Sequence, residues 1–344
     1  MNLETSPPAP SRAKADAIAY QTPALATGLW QIANSLLPLI ASVITLHYVL
    51  ATQAWWTIPA YIALVLLAGG LVVRMFIIQH DCGHGSFFAS RRANDVTGFL
   101  CGLITFTPYQ NWARQHAGHH ANWNNLDRRA SGADIYSTCI TVKEYRAMSG
   151  WSRFGLRLTR TPLVYLGLIP PLVFLVLYRL PFDTPKEWPR ERRSVHLNNA
   201  MLLAAFIAMG IPLGFGNVLL IHLPIMSVAA IVGVFLFSVQ HRFEETLWAR
   251  QESWSAVDSA LKGSSFLNLG PILRWFTGNI GYHHIHHLNG RIPNYRLAEA
   301  HEGIAAAQAV PALKLGAALL NHRHALWDED AGRMVSFAAA RAAA

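Results

Sequence analysis

Two long apolar stretches that are almost free of charge constrain this chain more than any other feature. Residues 29–79 contain one charged side chain, Arg74, and residues 198–240 contain none. Each stretch is more than twice the roughly 20 apolar residues that cross a bilayer once as a helix. Each can therefore form a helical hairpin whose two ends lie on the same side of a membrane.

Four segments are long enough to span, and together they predict an all-α integral membrane fold with four transmembrane helices. Only 14% of the residues are charged, against roughly 25% in an average soluble domain. The expected organisation is an N-terminal segment of residues 1–28, a membrane domain of residues 29–300 and a C-terminal tail of residues 301–344. The four expected spans are about 29–50, 55–79, 198–219 and 222–240.

Two further apolar runs are not expected to cross the membrane. Residues 94–108 are short and end at Pro108, and residues 162–178 are interrupted by Pro170 and Pro171. A proline lacks the backbone donor that an isolated membrane helix needs, and lipid cannot replace it. We expect both runs to be re-entrant or to lie at the membrane surface, beneath a helical cytoplasmic cap.

The basic residues predict which side of the membrane each loop occupies. Residues 109–160 carry eight Lys and Arg, and residues 179–193 carry five. Loops rich in Lys and Arg stay in the cytoplasm, so both loops and both termini are expected there. The links near 50–54 and 214–222 have no Lys or Arg, as expected of the outer side.

The net charge of +9 follows from these loops and does not indicate a nucleic-acid partner. The first 28 residues have no apolar segment followed by a cleavage site, so no signal peptide is expected. The three cysteines, Cys82, Cys101 and Cys139, offer no disulfide framework and no zinc-type CxxC pair. The Ala-rich end from Phe337 to Ala344 is expected to be loose.

Nine of the sixteen histidines form a pattern beside these spans. H-x-x-x-H occurs at 80–84, and H-x-x-H-H occurs at 116–120 and again at 283–287; we call these three motifs the first, second and third histidine boxes. Residues three and four apart share one helix face, so each group can direct two or three imidazoles to one point. His241, at the end of the fourth span, is the ninth candidate. The nine are His80, His84, His116, His119, His120, His241, His283, His286 and His287.

The other histidines have ordinary interpretations. His284 is expected to face away from its neighbours in the third group. A lone pair such as His80 and His84 is as easily structural as metal-binding, and one histidine at a membrane interface can simply anchor a helix end. The isolated ones are expected to be structural or solvated, namely His47, His222, His301, His322 and His324.

The number of candidate ligands indicates two metal ions. A zinc site uses three or four protein ligands, so nine imidazoles exceed one such site. Soluble di-iron bundles use Glu-x-x-His pairs, and this chain has none. The spacing alone leaves open whether the metal is iron or zinc. Hydrogen-bond acceptors that could fix the imidazole tautomers are Asp81, Asp134, Glu244 and Asn279.

The sequence around the histidines resembles the membrane fatty acid desaturases, and most closely their bacterial acyl-lipid branch. The resemblance covers residues from about 30 to 300. The motifs that carry it are HDCGHGSFF (80–88), HAGHH (116–120), LDRRASGADIYSTCITVKEY (126–145), SVQHRFEE (238–245) and GNIGYHHIHHLNGRIPNYRL (278–297).

This resemblance implies a four-span fold with a non-haem di-iron centre held by the nine histidines, and dioxygen as co-substrate. One position departs from acyl-CoA desaturases, which place an Asn that acts through a water four residues before the late histidine. Here that position is Phe237. The implied reaction introduces a cis double bond into a lipid acyl chain in a bacterial inner membrane.

A substrate tunnel and an external electron donor complete the expectation. An unactivated acyl chain has no polar handle, so a narrow apolar tunnel must position it. Aromatic residues near the boxes, namely Phe87, Phe88, Trp112 and Tyr282, could line this tunnel or merely form an interfacial anchoring belt. A ferredoxin or flavodoxin is the expected donor, docking on the basic face.

Two alternatives remain open from sequence. A related hydroxylase or ketolase acting on acyl chains or carotenoids would use the same centre. A metal-handling transporter would need ionisable residues inside its spans, whereas residues 198–240 contain only His222.

Overall fold

The computed structural model describes residues 10–129 and 139–342, so the expected acceptor Asp134 lies outside the described residues. The chain is mainly helical. The helices are α1 Pro10–Asp16, α2 Leu25–Ala51, α3 Ile58–His84, α4 Arg91–Ile104, α5 Tyr109–Asn122, α6 Val142–Ala147, α7 Gly150–Thr159, α8 Ile169–Leu175, α9 Pro189–Leu213, α10 Phe215–His241, α11 Ala256–Gly263, α12 Pro271–Phe276, α13 His283–Leu288, α14 Leu297–Gly303, α15 Ala305–Gln308, α16 Leu315–Ala318 and α17 Phe337–Ala342.

Short strands form two small sheets outside the long helices. In one sheet β1 pairs in parallel with β4, and β4 pairs antiparallel with β5. In the other, β2 pairs in parallel with β3. The strands are β1 Ile140–Thr141, β2 Phe266–Asn268, β3 Ala312–Lys314, β4 Leu326–Asp328 and β5 Arg333–Val335.

Four of the described helices are long and apolar enough to cross a membrane, which confirms the predicted fold class. They are Leu25–Ala51, Trp55–His84, Pro189–Leu213 and Phe215–His241. Large apolar side chains such as Ile44, Leu66, Leu203 and Leu220 are exposed on them. Such surfaces on long helices are expected to face lipid.

The turn between the third and fourth spans lies at the first residue of the expected outer link of residues 214–222, so the expected span bounds are several residues too late. We expected spans at about 198–219 and 222–240, but α9 ends at Leu213 and α10 begins at Phe215. Gly214 makes this turn with a φ of 85°, a left-handed conformation that favours glycine. His222 therefore lies within α10, where its Nδ1 is 3.0 Å from the carbonyl oxygen of Val218.

The proline-containing run of residues 162–178 forms the second arm of a bent pair of helical segments. Gly150–Thr159 and Leu163–Arg179 are bent by 60° relative to each other. Trp151 and Phe154 on α7 are exposed, as expected of a helix lying at a membrane interface. The bend occurs before Leu163, whereas Pro170 lies in the first turn of α8.

Helix α3 lies at the centre of the fold and contacts α2, α4 and α10. Its second half is almost wholly buried, including the interior side chains of Leu71, Met75 and Ile78. The ends of α3 and α10 that carry histidines meet a cap built from shorter helices. The two most buried of the four spans therefore place His80, His84 and His241 at one end of the molecule.

The C-terminal region packs on this cap and is not a loose tail, so that expectation is wrong for residues 337–342. The ring of Phe337 lies 5.2 Å from that of Tyr145. The guanidinium of Arg146 donates to the carbonyl oxygen of Ala340 at 3.0 Å. These contacts anchor α17 against α6.

Candidate metal centre

Each of the nine histidines sits on a helix, and helix ends supply most of them. His80 and His84 occupy the last turn of α3, which ends at Gly85 with a φ of 68°. That left-handed residue lets the chain leave the helix immediately after His84. His241 is the last residue of α10, and His283 is the first of α13.

The structure brings eight of these side chains into two adjoining groups, with one nitrogen of each residue in a group within 4.8 Å of the others. We call them the five-histidine cluster and the three-histidine cluster. The five-histidine cluster contains His80, His84, His116, His120 and His286, and the three-histidine cluster contains His119, His241 and His287.

The second and third boxes are divided between the two clusters. His116 and His120 point to the five-histidine cluster, whereas His119 points to the other. Successive residues on a helix are about 100° apart, so His116 and His120 share a direction that His119 does not. The rings of His120 and His287 stack at 4.2 Å, which places the two clusters side by side.

The ninth histidine, His283, adjoins the three-histidine cluster. The Nε2 atom of His241 lies 2.9 Å from Nε2 of His283 and 3.1 Å from Nε2 of His119. In the five-histidine cluster, Nε2 of His120 lies 3.2 Å from that of His116 and 2.9 Å from that of His286. Several Nε2 atoms thus converge on each cluster.

Burial keeps these imidazoles neutral. It lowers the pKa of His116, His120, His286 and His287 well below the usual range, and nearby imidazoles lower it further. For His119, burial and then His80 lower the pKa to about 3. Neutral imidazole is the form that binds metal.

The residues present fit a pair of metal ions. Nε2 of His84 and Nε2 of His287 are buried without a hydrogen-bond partner among the described residues. An unsatisfied buried nitrogen is unfavourable, and a metal ion in each cluster would satisfy the nitrogen there. Among the described residues neither cluster contains a carboxylate, so the donors are neutral nitrogen atoms, which suit iron, zinc or copper.

Of the expected hydrogen-bond acceptors, Asp81 reaches a box histidine. Its Oδ1 lies 3.2 Å from Nδ1 of His80, and both side chains are buried. Glu244 instead pairs with Arg333 at 3.0 Å on the surface. Asn279 donates from Nδ2 to the carbonyl oxygen of Asn294 at 3.2 Å.

An apolar cavity of about 160 Å³ opens beside the clusters. Its wall includes His80, His116, His119 and His283. Along α10 it extends from Met226 to Gln240, which is about 21 Å of helix. Its other walls come from α3, α5, α8 and the segment after α8. The cavity thus runs from the histidines along the interior of the membrane helices.

Only one of the four expected tunnel residues lines this cavity. Trp112 does so, stacked on His116 at 4.7 Å. Phe87 and Phe88 pack beneath the turn after α3, where Phe88 approaches Gly28. Tyr282 stacks on Phe266 at 4.8 Å. These three side chains are parts of the core beside the site.

Phe237 lines the cavity at the point where the apolar wall of the cavity meets the histidines. Its ring lies 4.9 Å from that of His241 and 5.2 Å from that of His119. A phenyl ring neither donates nor accepts a conventional hydrogen bond, so this side chain cannot hold a bridging water. It extends the apolar wall to the edge of the histidines.

His284 faces away from both clusters, as its position suggested. Its Nε2 lies 2.9 Å from Nδ1 of His301, so His301 is the partner of a buried histidine and is not isolated. Burial and then His301 lower the pKa of His284 to about 3. This pair belongs to the packing of α13 against α14.

Sequence reasoning missed two residues that touch the site. Asn294 donates to Asp81 from its backbone N–H and from Nδ2. The ring of Trp123 lies 3.9 Å from that of His241. Asn294 lies in the quoted segment RIPNYRL, where a polar residue directly after a proline was the available signal. Nothing in the local sequence distinguishes Trp123.

The fold and this site define a helical membrane protein with a histidine-rich centre able to hold two metal ions beside an apolar cavity. A family model described as fatty acid desaturase matches residues 53–315. The chain belongs to the fatty acid desaturase family, and it is therefore an oxidoreductase. The resemblance stated from the sequence is confirmed.

Individual relatives agree with the family assignment. A fatty acid desaturase of Bacillus subtilis is 39% identical over 93% of this chain and 89% of its own length. A probable fatty acid desaturase of Sorghum bicolor is 30% identical over 79% of this chain and 69% of its own. An sn-1 acyl-lipid omega-3 desaturase (ferredoxin) of Synechocystis is 29% identical over 73% of this chain and 68% of its own.

Two neighbouring histidines of α13 provide a matched test of the centre. We expect His287→Ala to lose at least one of the metal ions bound by the wild type, because His287 belongs to the three-histidine cluster. His284→Ala should keep the wild-type metal content, although losing its buried side chain will lower the melting temperature. Metal analysis of the purified proteins measures both. Equal metal loss in the two variants would contradict the assignment.

Proposed function

We propose that the protein is an oxygen-dependent acyl-lipid desaturase that introduces a cis double bond at a di-iron centre. The observation that carries this is the apolar cavity whose wall includes four of the nine histidines. An acyl chain lying in such a cavity passes beside the metal site. Its position along the cavity would then select the carbon atoms that react.

The nine histidines would hold the two iron ions, five in one cluster and His119, His241 and His287 with His283 in the other. Bound iron would supply the activation of dioxygen needed to remove hydrogen from two adjacent methylenes. The side chains around the iron would set the protonation and orientation of the ligands and exclude water. They hold the imidazoles neutral, and Asp81 orients His80. The apolar wall at Phe237 and Val234 limits water around the substrate.

The mouth of the cavity supports a substrate that carries a polar head group. Phe182, which lines it, is exposed. Asp183 and Gln115 line it too, and Gln115 donates from Nε2 to Oδ2 of Asp183 at 3.0 Å. The rest of the wall is mainly apolar. A lipid would place its head group at this polar end and its chain along α10.

An external carrier would supply the two electrons that the reaction consumes. The relative from Synechocystis is named as a ferredoxin-dependent enzyme, which supports a ferredoxin or flavodoxin here. The net charge of +9 suits an acidic carrier. We place the enzyme in a bacterial inner membrane, with the cap and both termini in the cytoplasm, because the basic loops flank the cap.

The lipid profile of a bacterial host that expresses the chain tests this function. We expect new cis double bonds, located by gas chromatography and mass spectrometry, and none with His119→Ala expressed to the same level. Oxygenated acyl chains or altered carotenoids without new double bonds would favour the hydroxylase or ketolase alternative and contradict the proposal.

Gly233 offers a test of the cavity as the acyl-chain site. It lines the cavity, and no atom lies within 4 Å of where its side chain would begin. We expect Gly233→Phe to fill the cavity and to abolish the product or to move the double bond. Gly216→Phe is the control, since Gly216 also has open space, is exposed on the same helix and lies outside the cavity wall. The same product pattern in both variants would contradict the assignment.

A further inference from the structure

A chain of buried polar side chains connects α2 to the metal site. Gln31 lies on α2, Asp81 lies beside His80 on α3, and Asn294 follows α13. Their exposed fractions are 4%, 2% and 1%. Buried polar groups are unfavourable unless they are hydrogen-bonded. Groups retained between membrane helices are therefore often functional.

The hydrogen bonds of this chain are continuous. Gln31 donates from Nε2 to Oδ1 of Asn294 at 2.9 Å. Asn294 donates from Nδ2 at 2.8 Å and from its backbone N–H at 2.6 Å, both to Oδ2 of Asp81. The other oxygen of Asp81, Oδ1, lies 3.2 Å from Nδ1 of His80. Hydrogen bonds thus link three remote parts of the sequence to the imidazole of His80.

The pattern fixes the direction of every bond in the chain. Because Gln31 donates to Oδ1 of Asn294, the amide of Asn294 must present Nδ2 to Asp81. Oδ2 of Asp81 then accepts two hydrogen bonds, and Oδ1 remains to accept from His80. A hydrogen bond from His80 to Oδ1 of Asp81 requires the tautomer with its proton on Nδ1, which leaves the lone pair of Nε2 for a metal.

We infer that Asn294 and Gln31 are positioning residues for the metal centre, acting through Asp81 on the tautomer and ring orientation of His80. The inference rests on the proposed role of His80 as a metal ligand. It gives α2, which carries none of the nine histidines, a part in the site. Asn279 also contributes to this series of hydrogen bonds, because its side chain donates to the backbone carbonyl oxygen of Asn294.

Ferrous iron affinity tests this role without reference to desaturation. Purified protein is titrated anaerobically with Fe²⁺ in competition with a chromogenic chelator. We expect Asn294→Ala to bind one of two irons about 10- to 100-fold more weakly, as for partners of other metal-bound histidines. Gln31→Leu leaves Asp81 and Asn294 in contact but frees the amide. It should give a smaller loss in the same direction.

The control is Asn34→Ala on the same helix. Asn34 contacts Arg74 at 3.5 Å and takes no part in the chain to His80. We expect wild-type iron affinity for this variant. The melting temperatures of all metal-free proteins are measured in parallel, because a purely structural role would lower them without changing the affinity for Fe²⁺.

Wild-type affinity in both Asn294→Ala and Gln31→Leu would overturn the inference. So would a lower melting temperature in these two variants with unchanged iron affinity. If Asn294→Ala does not fold, Gln31→Leu decides alone, with Asn34→Ala as its reference. A wild-type protein that binds no Fe²⁺ would instead overturn the proposed function, and the inference with it.

Discussion

The convergence of neutral imidazoles at one end of the membrane helices is the constraint on which the rest of the structure depends. Burial keeps the clustered side chains uncharged, and uncharged nitrogens that face one another need a metal or a proton between them. Helices α3 and α10 end at the site and so place His84 and His241 there. Helix α5 contributes to both clusters, since its three histidines point in two directions.

The same helices that carry the histidines also form the cavity. These helices would therefore set which carbon atoms of a bound acyl chain lie beside the histidines. His80 follows Phe76 and Ile77 on α3, and all three lie in the cavity wall. On α10, Gly233 and Phe237 precede His241 on the same rigid element. An acyl chain bound there, as we propose, would be held at a fixed distance from the clusters. No polar contact with the reacting carbons is required.

Much of the fold could be predicted from the sequence, and so could the residues that form the two histidine clusters, because hydropathy and helical spacing are local properties. The division of the boxes between two clusters could not, since it depends on how α5 and α13 are rotated against α3. The bounds of the third and fourth spans were placed too late, although the expected link of residues 214–222 begins at the turn, because the apolar run continues across Gly214 without a charged residue. Phe87 and Tyr282 are near the boxes in sequence, but their backbone directs them into the core. Asn294 depends on a contact with Asp81 that only the folded chain creates.

We propose that this chain holds two iron ions, one in each histidine cluster. Anomalous scattering measured at the iron absorption edge, on crystals of the iron-loaded protein, would locate them. We expect two peaks, one among the five-histidine cluster and one among His119, His241, His283 and His287. A single peak, or peaks away from these side chains, would contradict the account.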